Sequence, residues 1–327
     1  MVVAGLGEIL YRISPINNAV FLNEDQTKIY IGGAAYNVLT YLSQFGHTAK
    51  FFSAVPNNKL GAKVLHKAQA YKIDTSSIIQ SGNKIGMYFA LDVNEVKPQE
   101  VLYDRKYSSF YEYDFTLAEI KPFLKDVDIL HLSGITPALS KKHQNFVLEV
   151  LQYAQKNNIK ISYDSNFRSK LWSQQEAGEF LKLCLPYINY GFLGILDLKY
   201  LLNYHVETLI QGYTKLCQDY PNLEFLASTN REVISPTKHT LQANVFTKQE
   251  LYTSPKVKLN VIDRIGGGDA YTAGILHGII NNDSLENIGQ FALSNAVLKH
   301  YVDGDNYFVQ LQEVINYQQG SSQLINR

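Results

Sequence analysis

The sequence predicts an α/β fold: a doubly wound, mainly parallel sheet flanked by helices, with a small β-sheet lid. Strand-like and helix-like patterns alternate through most of the 327 residues, as expected for βαβ units with right-handed crossovers. Two stretches that lack helical periodicity interrupt this alternation. Apolar residues make up 46% and charged residues 18%, which supports a sizeable core and excludes wholesale disorder. We therefore expect an α/β domain over residues 1–9, 32–85 and 108–327, and a lid over residues 10–31 and 86–107.

Local patterns predict the elements of the α/β domain in order. Val2–Leu6 is a short apolar run that ends in glycines, which indicates a first strand. Ala34–Phe45 carries apolar residues at helical spacing and stops at Gly46, a residue type that often follows a helix. The other predicted strands are Lys50–Val55, Val127–Leu132, Ile159–Tyr163 and Leu223–Ala227, and the other predicted helices are Leu60–Tyr71, Lys142–Lys156, Asp269–Ile280 and Leu285–Tyr301. In such a sheet, ligands collect at the carboxyl ends of the strands.

The two interruptions are Leu10–Ile31 and Gly86–Tyr107. Their pattern predicts extended segments with turns at Asn17-Asn18 and around Val93–Pro98. Because both adjoin glycine-rich junctions, we expect them to pair in a small sheet outside the main domain.

Charge and cysteine content exclude several classes of protein. Lys+Arg and Asp+Glu both number 30, which argues against nucleic-acid binding by phosphate neutralisation and against a polybasic membrane surface. No uncharged apolar stretch reaches the roughly 18 residues of a membrane span. Cys184 and Cys217 are too few for a disulfide framework and are expected as buried free thiols in a reducing cytosol. The first residues lack a basic region and reach Glu8 early, so no signal peptide and a cytoplasmic location are expected.

The strongest local signal is Asp263-Arg264-Ile265-Gly266-Gly267-Gly268-Asp269-Ala270. It follows a β-rich run and opens an apolar helix, where three glycines and a helix N-terminus suit an anion. Asp269 is either a plain N-cap or a general base that faces a hydroxyl nucleophile. The octamer alone favours the N-cap. It lacks the Lys-Ser/Thr pair of a Walker motif, and its position argues against a dinucleotide fold.

Three further motifs carry polar residues near predicted junctions. Gly32-Gly33-Ala34-Ala35-Tyr36-Asn37 opens the first long helix, and Asn37 is either a site residue or a solvated polar residue. Tyr163-Asp164-Ser165-Asn166-Phe167-Arg168 follows a predicted strand, and Arg168 could bind a carboxylate or phosphate or form a surface ion pair. Tyr103-Asp104-Arg105 lies in the lid about fifteen residues after Tyr88. Taken alone, it favours a surface ion pair between Arg105 and Asp104.

In this order, the motifs resemble those of the ribokinase-like (PfkB) carbohydrate kinases. Within that family, they are most similar to those of 2-keto-3-deoxygluconate kinases. The resemblance runs from Gly5-Leu6-Gly7-Glu8 to Gly304-Asp305. It implies a doubly wound α/β domain with a β-sheet lid, ATP and Mg²⁺ as cofactors, and a homo-oligomer, taken as a dimer. The implied reaction converts 2-keto-3-deoxygluconate to 2-keto-3-deoxy-6-phosphogluconate.

The resemblance also assigns roles to residues. Asp269 would be the catalytic base, and Gly266, Gly267 and Gly268 would form the anion hole. The implied sugar-binding residues are Gly33, Asn37, Tyr88, Tyr103, Arg105, Arg168 and Asp305, and the implied ATP-binding residues are Asn166, Ser228, Thr229, Arg231, Gly266 and Gly268. Two arginines suit a substrate with a carboxylate, since a neutral sugar gives them no partner.

One segment departs from the family pattern. Relatives usually carry Asn-Glu-Glu-Asp where this chain has Gly194-Ile195-Leu196-Asp197. Asp197 keeps the last acid of the family segment and would act on magnesium indirectly. We expect either weaker magnesium binding or a loop of different conformation. This departure motivates one alternative, a catalytically weak sugar-acid-binding protein. The other alternative is a kinase for a neutral ketose such as fructose, for which Arg105 and Arg168 would contribute little to binding. A nicotinamide oxidoreductase is remote, because the first βα junction lacks its fingerprint.

Overall fold

The computed structural model describes residues 1–16, 21, 24–91 and 100–320. The strands in these ranges are β1 (Val2–Leu6), β2 (Leu10–Pro15), β3 (Thr27–Gly32), β4 (Thr48–Val55), β5 (Ile73–Asp74), β6 (Ile78–Gln80), β7 (Met87–Leu91), β8 (Glu100–Asp104), β9 (Ile129–Ser133), β10 (Lys160–Asp164), β11 (Tyr190–Phe192), β12 (Phe225–Ser235), β13 (Lys238–Thr247), β14 (Leu251–Thr253) and β15 (Val257–Asn260). The α-helices are α1 (Ala34–Gln44), α2 (Lys59–Ala70), α3 (Ser109–Glu112), α4 (Leu117–Phe123), α5 (Lys141–Lys156), α6 (Gln174–Cys184), α7 (Ile195–Tyr200), α8 (Leu209–Asp219), α9 (Gly267–Ile280), α10 (Leu285–His300) and α11 (Leu311–Gln318).

The main sheet confirms the predicted fold class. Its strand order is β14–β13–β12–β11–β10–β9–β1–β4–β5, with β15 beside β13 and β6 beside β4. β1 lies in the middle and pairs in parallel with β4 and β9, so that Val3 faces Ala49 on one side and Ile129 on the other. The edge beyond β12 is antiparallel, and the sequence pattern had not predicted this edge.

The small sheet is built from the two predicted interruptions. In the part of the chain that the structure describes, its order is β3–β2–β7–β8. β2 pairs antiparallel with β3 and parallel with β7, and β7 pairs antiparallel with β8. The predicted turns at Asn17-Asn18 and Val93–Pro98 lie outside the described residues. The division into an α/β domain and a lid at residues 10–31 and 86–107 stays a prediction.

The hydrophobic core lies on both faces of the main sheet. Val3 belongs to one buried cluster, whereas Ala4 and Leu6 belong to the other, as expected because successive side chains of a strand alternate between faces. The predicted helix at Ala34–Phe45 is confirmed as α1. It ends before Gly46, whose φ of 91° is costly for residues with a Cβ.

The expectation of buried free thiols holds for one of the two cysteines. Cys184 is buried, Cys217 is half-buried, and both are free thiols. Across those ranges, we find no helix with the length and apolar character needed to cross a membrane.

Buried His131 makes folding stability depend on pH. Its side chain is 1% exposed on β9, its Nδ1 lies 2.8 Å from the Ser162 hydroxyl, and burial lowers its pKa to about 3. Because only the unfolded chain takes up this proton, the contribution of His131 is present above about pH 6.5 and is lost as pH falls below it. We expect the stability cost of His131→Asn to shrink by about 1 kcal/mol between pH 7.5 and 5.5, measured by urea unfolding. A cost that is equal at both pH values would contradict this expectation.

Candidate active site

A cavity of about 810 Å³ opens at the carboxyl ends of the central strands. Gly7, Ser133 and Asp164, which follow or end β1, β9 and β10, contribute to its wall. The N-termini of α1 and α9 add Gly33 and Gly266. The small sheet covers one side, so polar groups from separate parts of the chain converge where a parallel sheet presents a ligand.

Asp269 faces this cavity and does not cap its own helix. The N-cap of α9 is Gly266, and no side chain caps this helix. The Asp269 carboxylate instead accepts a hydrogen bond of 2.7 Å from Asn37 Nδ2. The N-cap interpretation of Asp269 was therefore wrong. Burial raises the pKa of Asp269 to about 7, against the hydrogen bond from Asn37 that lowers it, so the carboxylate is basic enough to accept a proton near neutral pH.

Asn37 is held in place from both ends of its amide. It is 3% exposed, and its Oδ1 accepts a 2.8 Å hydrogen bond from Asn306 Nδ2. The alternative of a solvated polar residue was wrong. Since Nδ2 is directed at Asp269, Asn37 fixes the orientation of the carboxylate. Sequence reasoning missed Asn306, which follows directly after the recognised Gly304-Asp305 pair.

The three glycines of the loop have different roles. Gly266 has a φ of +81°, and a Cβ there would overlap the carbonyl oxygen of Asp305. Gly267 packs against the ring of His300, whereas a Cβ on Gly268 would meet nothing within 4 Å. Gly266 and Gly268 line the cavity. The first turn of a helix leaves amides without helical acceptors, which makes this corner suited to an anion.

Basic side chains surround the same corner of the cavity. Arg168, Arg231 and Arg264 line it together with Lys170. Burial and the neighbouring charges of Arg264 and Arg168 lower the pKa of Arg231. Like charges held together repel, so a bound polyanion would reduce this electrostatic repulsion. Arg264 was not singled out from the sequence, although it stands inside the recognised octamer.

The other predicted ATP-binding residues occupy different positions. Asn166 lines the cavity and donates from Nδ2 to the Ser133 hydroxyl over 3.2 Å. Ser228 and Thr229 lie on β12, three and two residues before Arg231, but are not part of the cavity wall that the structure describes. The Ser228 hydroxyl accepts a 2.9 Å hydrogen bond from Tyr213.

Arg105 forms a buried ion pair that the sequence did not indicate. Its Nε donates to Glu8 Oε2 over 2.6 Å, and Ser108 donates to Glu8 Oε1 over 2.6 Å. Arg105 is 7% exposed and still lines the cavity. Asp104 pairs with Lys84 instead, at 2.6 Å. The expected ion pair between Arg105 and Asp104 was therefore wrong.

The small sheet brings two tyrosines to the cavity. Tyr88 donates its hydroxyl to Asp305 Oδ2 over 2.5 Å, and Tyr103 lies beside it with ring centroids 6.3 Å apart. Both line the cavity with Asp305 and Gly33. All the predicted sugar-binding residues thus line this cavity.

Two further acids lie near the arginines: Asp164 lines the cavity, and Asp197 lies close to it. Burial raises the pKa of Asp164 to about 7, and nearby Asp197 raises it further. Asp197 accepts the backbone amide of Gly194 over 2.7 Å at the start of α7. In the described residues there is no group of three or more His, Cys, Asp or Glu side chains that could hold a metal ion.

Comparison with known proteins decides the family. The model of the pfkB family carbohydrate kinases matches residues 3–305. The chain belongs to this family. As a carbohydrate kinase, it transfers a phosphoryl group to an alcohol of a sugar.

Individual relatives agree with the family. The chain is 26% identical to a 2-dehydro-3-deoxygalactonokinase of Haloferax volcanii over 98% of both chains. It superimposes on the crystal structure of a PfkB family carbohydrate kinase from Listeria grayi with a TM-score of 0.94, 33% identity and coverage of 98% of this chain and 100% of that one. For the 2-dehydro-3-deoxygluconokinase of Thermotoga maritima, the TM-score is 0.92 with 28% identity over 98% of each chain. The ribokinase-like fold and the likeness to ketodeoxygluconate kinases are confirmed.

Proposed function

We propose that this pfkB kinase transfers the γ-phosphoryl group of ATP to a hydroxyl of a sugar acid, with 2-keto-3-deoxygluconate as the substrate. The observation that carries the proposal is the Asp269 carboxylate, which is turned away from its helix, oriented by Asn37 and placed beside a glycine-rich helix N-terminus. Ketodeoxy-sugar-acid kinases among the relatives support the substrate class.

In the proposed reaction, Asp269 acts on the sugar hydroxyl, and the neighbouring glycine amides act on the phosphoryl group. Asp269 accepts the proton of the sugar hydroxyl as its oxygen attacks the γ-phosphorus. The bond from that phosphorus to the β,γ-bridging oxygen breaks, and ADP leaves. The amides around Gly266 and Gly268 and the side chains of Arg231 and Arg264 stabilise charge on the phosphoryl group in transit. The small sheet excludes water, which suppresses hydrolysis of ATP.

The residues near the basic corner also fit Mg²⁺. Magnesium is usually bound by one or two carboxylates together with substrate phosphates and water. Asp164 lines the cavity and has Asp197 close to it, so we propose Asp164 as the near carboxylate and Asp197 as an indirect one. When bound, Mg²⁺ would neutralise charge on the phosphate oxygens. Gly194 leaves Asp197 in place, as its amide donates to that carboxylate.

The sugar acid would be recognised by Tyr88, Tyr103, Arg105, Arg168 and Asp305, with Gly33 and Asn37 beside them. One observation favours the second candidate, a neutral ketose. Glu8 already compensates the charge of Arg105, so of the two arginines predicted to bind the sugar, only Arg168 has no carboxylate bonded to it in the described contacts. A substrate assay must therefore decide between the two classes.

Arg168→Gln tests recognition of the substrate carboxylate. With 2-keto-3-deoxygluconate, kcat/KM should fall at least about tenfold, since a charge-assisted hydrogen bond contributes about 1.5–3 kcal/mol. With fructose it should change less, so the ratio of the two kcat/KM values is the measured quantity, from coupled ADP release. Lys170→Gln is the matched control, because Lys170 lines the same cavity but donates to the Val101 carbonyl over 2.7 Å. Equal turnover of both sugars by the unmodified enzyme would contradict the substrate, and an unchanged ratio in Arg168→Gln would contradict the role of Arg168.

A further inference from the structure

A buried charge cluster lies behind the cavity wall. It connects the small sheet to Asp305, which is predicted to bind the sugar, and to the loop that leads into Gly266–Gly268. Arg12 is 2% exposed on β2, and its Nη1 donates to Asp263 Oδ2 over 2.5 Å and to Asp305 Oδ1 over 3.3 Å. Asp263 and Asp305 are 2% and 3% exposed. Lys299, also buried, donates to the backbone carbonyls of Asp263 and Val302. Two acids and two bases therefore balance within one cluster.

Each carboxylate bonded to Arg12 shapes a different part of the site. Asp263 accepts the amide of Ile265 over 3.0 Å and the amide of Gly304 over 2.9 Å, which defines the turn that leads into the anion-hole glycines. Asp305 lines the cavity and accepts the Tyr88 hydroxyl. The two parts also touch, because the carbonyl oxygen of Asp305 occupies the space where a Cβ of Gly266 would lie.

We propose that Arg12 is a positioning residue that couples recognition of the sugar at Asp305 to the geometry of the phosphoryl-binding loop at Gly266–Gly268. One guanidinium group holds both carboxylates, so a shift of either is transmitted to the other. Arg12 is absent from the cavity wall in the described residues, and it acts through Asp305 and Asp263. This inference depends on the proposed role of Asp305 in sugar binding, but it holds for any sugar that the enzyme phosphorylates.

The choice of arginine follows from the geometry. Both carboxylates accept from one nitrogen, Nη1, whose two hydrogens have fixed directions in the planar guanidinium, whereas an ammonium is a compact point charge on a flexible stem. Nε of Arg12 is held by Ser14 Oγ at 2.9 Å, and the Tyr30 ring lies 5.0 Å from the guanidinium carbon. Lysine at this position would keep the charge and lose the fixed bridge between the carboxylates. Arg12→Lys therefore separates positioning from charge balance.

The test compares Arg12→Lys, Asp305→Asn and the double variant, using the sugar that the unmodified enzyme phosphorylates best. We expect Arg12→Lys to lower kcat/KM for the sugar on the order of tenfold to 100-fold, as misplacement of reacting groups does. In the Asp305→Asn background, the same change should cost less than a third of that factor, because residues that act through one contact are not additive. Tyr30→Phe is the control: it keeps the ring beside Arg12, loses only the bond to Asp303, and should leave kcat/KM unchanged.

A pH profile distinguishes positioning from a loss of stability. Asp305 faces Arg12, Tyr88, Asp263 and Lys299, and its charge also acts on Asp269. Burial raises the pKa of Asp305 and Arg12 lowers it. In Arg12→Gln, the pKa of Asp305 should rise. On acidification, the KM for the sugar should therefore begin to increase at a higher pH in this variant than in the unmodified enzyme. If Arg12→Gln does not fold, Arg12→Lys decides. Full additivity of Arg12→Lys with Asp305→Asn, or a lowered thermal midpoint with unchanged kcat/KM, would overturn the inference.

Discussion

Replacing Asp269 with asparagine should lower kcat by about 10³-fold, within the range of 10²–10⁴ that a positioned general base contributes. The asparagine amide cannot accept the proton of the sugar hydroxyl, although it fills nearly the same volume. Asn37 Nδ2, which now donates 2.7 Å to the carboxylate, can still donate to the amide oxygen. Coupled ADP release would measure kcat, and calorimetry would measure sugar binding.

Sugar binding by the variant separates the enzyme from a sugar-acid-binding protein without catalysis. The kinase should lose turnover and keep ligand affinity within a few fold. A binding protein that resembles the family would have no turnover to lose. Asp269→Asn with full activity would show that another group removes the proton, and the proposed mechanism would then be wrong.

The raised pKa of Asp269 predicts an acid limb in the pH profile. Burial raises this pKa to about 7, and the carboxylate must be ionised to act as a base. We therefore expect kcat/KM to fall as pH drops below about 7. The negative charge of Asp164 contributes to the raised value, so Asp164→Asn should lower the pKa of Asp269 and move the limb to lower pH. Because burial also raises the pKa of Asp164 to about 7, a limb that disappears in Asp164→Asn would assign it to Asp164, and a limb that stays in place would assign it to a different group.

The elements with a local signature were predictable from the sequence. The helix at Ala34–Phe45 follows from periodicity, and its end follows from Gly46. Two pairings of the antiparallel edge are local, with turns of two residues between β12 and β13 and of three between β13 and β14, and these turns were an unused signal. The pairing of β13 with β15 skips β14 and places Leu241 beside Val257. No single-segment pattern specifies such a pairing.

The site was predictable as a set of residues but not as a set of contacts. Asn37 and Asp269 are 232 positions apart, so their hydrogen bond has no local signature. Arg105 was assigned to its neighbour Asp104, but adjacent side chains at the end of a strand point to opposite faces. Its actual partner, Glu8, lies 97 positions away. Arg12 is a charged residue within the mainly apolar β2, and this pattern could have indicated a buried charge from the sequence.

Alanine at Gly266 and at Gly268 should have different consequences, although the two residues are neighbours in one loop. At Gly266, φ is +81°, and an added Cβ would overlap the Asp305 carbonyl, so the loop must move. Removing one anion-hole donor costs about 10²–10³ in kcat, and we expect Gly266→Ala to lose that factor together with thermal stability. Asp305 is displaced by the same movement, so the sugar KM should also rise.

Gly268→Ala is the matched comparison. A Cβ there would meet nothing within 4 Å, and the residue lines the cavity. The folded protein should keep its thermal midpoint, while the methyl group occupies space beside the phosphoryl-binding corner and raises the KM for ATP. Thermal denaturation and steady-state kinetics of both variants would measure the contrast. Because Gly266 contacts Asp305 and Gly268 does not, equal losses of stability in the two variants would mean that loop conformation, and not this contact, holds the anion hole in place.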